Sequence, residues 1–214
     1  MRSDVRRPVS RLVIWRGLDA WRSEVGAVDL TNTGIAATGT QVGVDPLPYR
    51  VDYDLDARDG FVTRRLVVSA AGAGWSRQVD LQHDGDGSWT VAAVATGRVD
   101  LPAPGGNAAT VQGALDCDLG LSPLTNLMPI RRSGLAERPG GADFLMAWVS
   151  VPDLTVLASA QRYEHVGQSQ LGPVVRYVDR GLFPGFTADL QLDSSCVVLV
   201  YPNLAQRVES PQPA

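Results

Sequence analysis

Along most of the chain, apolar and polar residues alternate one by one. In YRVDYDLD, Tyr49, Val51, Tyr53 and Leu55 fall on one side and Arg50, Asp52, Asp54 and Asp56 on the other. A period of two is the signature of a half-buried strand. FVTRRLVVSA, WSRQVDLQHD and SWTVAAVAT continue as short β-rich runs, parted by DG, GAG and DGDG turn signals. ADFLMAWVSVP, TVLASAQRYEHV, PVVRYVDR, FTADLQLD and CVVLVYP follow at similar spacing. Strands recurring this way, with no βαβ alternation, predict an antiparallel, all-β fold with only minor helix.

The one helix the pattern predicts is short. Ser122 would cap it, Pro123 would take its first position, LTNLM would form its body, and Pro129 would stand near its end. LPAPGGNAATVQG, from Leu101 to Gly113, is small and Pro/Gly-rich and has the composition of a flexible linker. Both of its flanks are strand-like, so the expectation is a single domain over residues 1–214, with an ordered core of about 10–208. The tail SPQPA is expected to fray. No internal repeat is present.

Composition narrows the function. The 214 residues are 44% hydrophobic and 20% charged, ordinary globular usage, and long enough to fold without disulfide staples. The net charge is −4 and no basic stripe exists to neutralise phosphates, which argues against nucleic acid as a partner. All nineteen basic residues are arginine, consistent with a GC-rich bacterial source. The absence of lysine excludes Schiff-base or general-base lysine chemistry. Only LVIW separates the basic start from Arg16, too short for a signal peptide, and no later run would span a membrane. A cytoplasmic protein is expected, with Cys117 and Cys196 as reduced, buried thiols.

Polar groups concentrate in LDCDLGLSPLTNLMPIRRSGL, Leu115 to Leu135. Alternation sends Asp116 and Asp118 to one face of a strand, where they could act as an acid/base pair, hold a cation or receive an arginine. A solvated strand face is the plainer alternative. Arg131 and Arg132 follow a short turn later and could return as bidentate partners for those acids. Thr125 and Asn126 sit in the turn, where such side chains usually bond to backbone. In QRYEHV, Gln161 and Tyr163 share one side of a strand and Arg162 takes the other. A Tyr–Gln face suits a sugar or lipid head group, since tyrosine offers a ring and a hydroxyl; core packing would use it equally well.

Catalytic templates are missing: no GxSxG elbow, no GxGxxG and no GxxxxGK[ST] loop. Two histidines without HxxxH or CxxC spacing predict no zinc site, and HDGDGSW lacks the distal Glu of a calcium loop and reads as a hairpin turn. No metal or cofactor is expected.

LDCDLGLSPLTNLMPIRR resembles the signature of the bacterial putative glycolipid-binding family, in which an LDxDL strand runs into (S/T)PxTNxxPIRR. VIWRGLDAWRSE, YRVDYDLDARDGFVTRRLVV, GDGSW, QRYEHV and LDSSCVVLVYPNLAQRV fall in the order of that family, so the resemblance runs from about Trp15 to Arg207. DGFVTRR departs from it, with Phe61 nearest the place of an expected Trp. The resemblance implies a strongly curved antiparallel sheet, an incomplete β-barrel like the half-open barrels of lipoprotein localization factors, with a short helical plug. It also implies a lipid or glycolipid in the concavity. Leu124, Leu127, Met128 and Ile130 would then fill the concavity beside an acyl chain, and Arg131 and Arg132 would face the acids or an anionic head group.

The leading expectation is therefore non-enzymatic binding of a glycolipid or other amphipathic small molecule. The candidate ligand-binding residues are Asp116, Asp118, Asn126, Arg131, Arg132, Gln161, Arg162 and Tyr163. One alternative is an enzyme acting on a similar ligand through an Asp/Arg/Tyr site. Another is a structural or interaction module with no ligand.

Overall fold

The computed structural model describes residues 9–209, so the basic start before Val9 and the SPQPA tail lie outside the described residues. Seven strands run as an antiparallel meander: β1 (Val9–Gly17), β2 (Arg22–Leu30), β3 (Ile35–Gly43), β4 (Tyr49–Arg58), β5 (Val62–Gly72), β6 (Trp75–His83) and β7 (Trp89–Gly97). The chain then crosses to a short strand, β8 (Asp116–Leu119), and a helix, α1 (Leu127–Ser133). A second meander follows: β9 (Gly141–Val149), β10 (Val156–Gln168), β11 (Pro173–Asp179), β12 (Thr187–Leu192), β13 (Val198–Tyr201) and β14 (Ala205–Arg207). β14 returns beside β1, pairing Trp15 with Arg207 and Gly17 with Ala205, and so fuses the two meanders into one fourteen-stranded sheet. β7 and β8 are its edges, and the sheet is not closed into a barrel.

Burial follows the predicted alternation. Tyr49, Val51, Tyr53, Leu55 and Ala57 of β4 all face inward, and the intervening Arg50, Asp54 and Arg58 are exposed. The ladder slips between Asp56 and Ala57 and again between His165 and Gly167. Such bulges bend a strand and sharpen its twist, so they help curl so wide a sheet. Gly26 and Gly39, directly opposed across β2 and β3, let the Tyr53 ring lie flat on the sheet. A Cβ at Gly39 would come within 2.3 Å of the Tyr53 hydroxyl.

β8 lies inside the curl. It pairs in parallel with β9, Asp116 opposite Met146, and it also meets β5: the Thr63 amide donates to the Leu115 carbonyl (3.0 Å) and the Cys117 amide to Thr63 Oγ1 (3.0 Å). The crossing segment is not a loose linker. Gly105 donates to Leu154 (2.8 Å) and accepts from Val156 (2.9 Å), Asn107 caps a single 3-10 turn at Ala108–Val111, and Gly113 donates to the Gly87 carbonyl (2.7 Å). Its small residues permit close backbone approach rather than flexibility.

The helix starts later than the sequence pattern predicts, at Leu127 rather than at Pro123. The Ser122 hydroxyl accepts from the Leu124 amide (3.2 Å), as a capping serine would, and donates to Glu24 (2.7 Å), but residues 123–126 form a bend and turn before the helix proper. Pro129 therefore sits in the first turn, where its missing N–H costs nothing. Gly134, left-handed at φ 68°, closes the helix by donating to Ile130 and Arg131 carbonyls. Arg131 and Arg132 are thus helical neighbours, roughly 100° apart around the axis, not opposite faces of an extended segment.

α1 stands between two apolar clusters. Leu124, Leu127 and Met128 pack with Trp15, Leu55, Leu66 and Val68. Ile130 packs with Met146, Tyr163, Tyr177 and Leu190. Leu124, Leu127, Met128 and Ile130 are at most 1% exposed, each worth about 1.5–3 kcal/mol of transfer from water. They fill the concavity themselves, and the expected space for an acyl chain beside them is occupied by protein.

Candidate functional site

A cleft of about 250 Å³ opens where β8 and its following turn meet the second meander. Its floor is Asp118, Leu121, Ser122 and Asn126. Its walls are aromatic: Trp148 ends β9, Tyr177 lies on β11, Phe183 and Phe186 come from the β11–β12 loop, and Tyr201 ends β13. The rings brace one another edge to face, Trp148 against Phe183 (centroids 5.8 Å apart) and Tyr177 against Phe186 (6.0 Å). Leu204 completes the wall from the β13–β14 turn. The Arg22 guanidinium fastens that turn by donating to the Leu204 carbonyl, and Leu18 of the β1–β2 hairpin donates to the same oxygen (3.0 Å).

Asp118 is held by neutral donors. Its Oδ1 accepts from Thr125 Oγ1 (2.7 Å) and its Oδ2 from Gln161 Nε2 (2.7 Å). Among the described residues no arginine or histidine pairs with it. Burial pushes its carboxyl above the ordinary range, and the Thr125 and Gln161 bonds oppose that rise only in part. Behind the floor, the Tyr163 hydroxyl lies between Asn126 Oδ1 (2.9 Å) and Gln161 Oε1 (3.0 Å). Gln161 also donates to Ser159 (3.1 Å), and Asn126 Nδ2 donates to the Pro123 carbonyl (3.3 Å). Burial drives the Tyr163 phenol well above its usual range, so it stays a neutral hydrogen-bond donor.

The residues singled out from sequence thus divide among four places. Asp118, Asn126, Gln161 and Tyr163 form one network, and of these Asp118 and Asn126 line the cleft. Asp116 is gripped by Arg132, whose Nη1 lies 2.6 Å from Oδ1 while Nη2 meets Oδ2. Arg131 lines a separate groove of about 240 Å³, its guanidinium 5.1 Å above the Phe61 ring and beside the Cys196 thiol. Arg162 is on the outer face, bonded to Asp143 (2.7 Å) and Glu164 (2.7 Å), and does not approach the others.

The aromatic wall went unnoticed in the sequence because its members lie on separate elements between residues 148 and 201, each reading as ordinary strand or loop content. Glu24 also escaped notice, although its signal was legible. In RSEVGAVDL, it shares a face with Val28 and Leu30, an acid on an apolar stripe. Its Oε1 accepts from the Tyr53 hydroxyl (2.8 Å) and the Ser122 hydroxyl (2.7 Å), and Oε2 from Gln41 Nε2 (3.3 Å). Burial raises its carboxyl to about 7, against the pull of these donors and of Arg22.

Other features offer less chemistry. A depression of about 410 Å³ between the β2–β3 and β4–β5 turns is lined by strand-end residues such as Asp29, Thr33 and Arg58, all solvent-exposed. His83 is a buried structural group, its Nδ1 2.9 Å from the Thr63 carbonyl and its Nε2 accepting from the Gly87 amide (3.0 Å) within the hairpin that HDGDGSW forms. Among the described residues no group of three metal-ligating side chains converges.

No curated protein matches this sequence. Among solved structures, the chain is similar to the crystal structure of a DUF1089 family protein from Pseudomonas aeruginosa. The TM-score is 0.67 and the identity 26%, with 91% of this chain and 95% of that chain covered. A family model described as "Putative glycolipid-binding" matches residues 12–207, and by that match, which spans both meanders and the site between them, the chain belongs to the Putative glycolipid-binding family.

Proposed function

We propose that the protein binds, without transforming it, the head group of a glycolipid or similar amphipathic molecule in the aromatic cleft above Asp118, with the whole sheet acting as one domain. The observation that carries this reading is the pairing of an aromatic wall with a polar floor. Trp148, Tyr177 and Tyr201 offer ring faces and hydroxyls, while Asp118, Asn126 and Ser122 offer hydrogen-bonding groups at the bottom. Sugars suit such a site because their rings have apolar faces and polar edges. A volume of about 250 Å³ accommodates a head group. Because the concavity is filled by α1 and its flanks, the acyl part would leave along the lip, where Phe183 is 54% exposed.

The family membership supports a binding role in general terms. A catalytic reading draws on the raised carboxyl of Asp118. Against it, the arginines it would enlist are elsewhere: Arg131 in its own groove and Arg162 on the outer face. The two free cysteines, both buried, suit a reducing compartment and favour a cytoplasmic setting. No helix among the described residues is long and apolar enough to cross a membrane.

Calorimetric titration with octyl glucoside below its micelle concentration tests the reading. Binding that Tyr201→Ala weakens at least roughly tenfold, about 1.4 kcal/mol, is the expected result. Failure to bind octyl glycosides of any kind, with the protein folded, would remove the proposal.

A further inference from the structure

The charge balance of the cleft points to the kind of head group it takes. Five aromatic rings surround it, and the carboxylate at its floor has no cationic partner among the described residues. Asp179, close behind Tyr177, is similar: it accepts from the Tyr177 hydroxyl (3.1 Å) and from the Gly181 and Phe183 amides (2.8 Å each), all neutral donors. Arg180, next to Asp179 in the β11–β12 loop, is exposed to solvent and is not among the residues that line the cleft. Arg132 is spent on Asp116, and Arg22, behind the Leu204 wall, is paired with Asp19 (2.6 Å). Burial raises the phenols of Tyr177 and Tyr201, and the nearby Asp118 and Asp179 carboxylates push them further in the same direction. The cleft is therefore electronegative, with π-faces for walls and, among the described residues, no cation paired with the carboxylate below.

We infer that the cleft selects a head group bearing an ammonium, such as an amino sugar or a choline-like cation, with Asp118 as its counter-ion and Tyr177, Tyr201 and Trp148 as its cation–π walls. The inference rests on the binding reading above and specifies its ligand class. An ammonium in a desolvated aromatic box gains from the ring quadrupoles, and a neutral sugar does not. A buried carboxylate adds charge-assisted hydrogen bonds to N–H groups that a neutral hydroxyl makes only weakly. An anionic head group, by contrast, would meet the Asp118 carboxylate, with Asp179 behind Tyr177, and no cation among the described residues that line the cleft.

Four probes below their micelle concentrations test it by calorimetry on the unaltered protein: octyl glucoside, octyl glucosaminide, its N-acetylated form and dodecyltrimethylammonium, at a pH where the amine is protonated. The expected result is glucosaminide binding at least tenfold tighter than octyl glucoside or the N-acetyl form. Asp118→Asn should abolish that preference, so that the glucosaminide binds no tighter than the glucoside does to the same variant. Tyr201→Leu, which keeps an apolar wall but removes the π-face, should weaken the two cations more than the neutral probes. Trimethylammonium binding as tight as glucosaminide would uphold the cation selectivity while removing the sugar from the proposed function. Equal affinity for charged and neutral glycosides, or a preference surviving in Asp118→Asn, would overturn this inference and leave the proposed function intact. Binding of none of the four would overturn both.

Discussion

Arg132 holds Asp116 at two points, one nitrogen to each carboxylate oxygen, where the strand inside the curl passes the last turn of the helix. The acid is essentially inaccessible, with 1% of its side chain exposed, and the arginine retains 19%. Burial pushes the Asp116 carboxyl up and the guanidinium pulls it back, so the pair exists at a balance that removal of either partner would upset. Arg132 also donates to the Phe61 carbonyl (3.3 Å) and stacks over Phe144 at 5.5 Å, which joins α1 to the β4–β5 turn and to β9.

Replacing Arg132 with Met should therefore destabilise the protein by roughly 3 kcal/mol, with or without ligand, because a buried carboxylate loses the cation that grips it. Arg131→Met should cost less than about 1 kcal/mol, since that guanidinium has no ion-pair partner among the described residues and the change removes chiefly its contacts with Phe61 and the Cys196 thiol. Urea unfolding of the two variants checks the contrast. Equal stability losses would mean that the pair does not fasten the fold.

Glu24 makes stability depend on pH. Its folded carboxyl titrates near 7 against 4.5 for the free group, so between those values the folded state holds more proton than the unfolded one. The contribution is fully present below 4.5 and is lost as pH rises through about 7, by at most about 3 kcal/mol. Gln41 Oε1 is buried without a partner, and a turn of its amide would let it accept from protonated Glu24. Glu24→Gln should flatten the profile, leaving the variant more stable than the parent above pH 7 and close to it below pH 5. Denaturant melts across that range would show it, and parallel profiles would refute the assignment.

Ligand binding should carry the opposite pH signature. Burial raises the Asp118 carboxyl and a bound cation favours its ionised form, so across the pH range in which the unliganded carboxyl titrates, complex formation releases a proton. Affinity for dodecyltrimethylammonium, whose charge is permanent, should rise with pH and then level off. Titration in two buffers of different ionisation enthalpy would reveal the released proton. A flat profile in the parent protein would show that Asp118 is not the counter-ion.

The two thiols should be unreactive in the folded protein. Cys117 is buried in the first core cluster and its thiol is pushed up to about 12, leaving almost no thiolate near neutrality. Cys196 is also buried and raised, although the Arg131 guanidinium beside it opposes the shift. Iodoacetamide should label neither quickly under native conditions, with Cys117 the slower, and both without reductant once the chain is unfolded. A mass indicating a disulfide after denaturing, non-reducing alkylation would contradict the free state of both.

Local chemistry alone determined much of this molecule. A period of two needs no partner to be read, because successive side chains on any strand point to opposite faces; YRVDYDLD therefore announced its buried tyrosines, and DG and DGDG announced the turns. The same rule placed Gln161 and Tyr163 together and Arg162 apart. Proximity was a different matter. Whether Arg131 or Arg132 would meet Asp116 depended on where α1 begins and on β8 docking beside it in register with β9, and neither is written in the local sequence. Asp118 and Tyr201 are eighty-three positions apart, and nothing in either neighbourhood hints that they share a cleft. The curl of the run of strands from β8 to β13 brought them together, since long-range strand pairing and close packing in a filled concavity are properties of the whole chain and not of any segment.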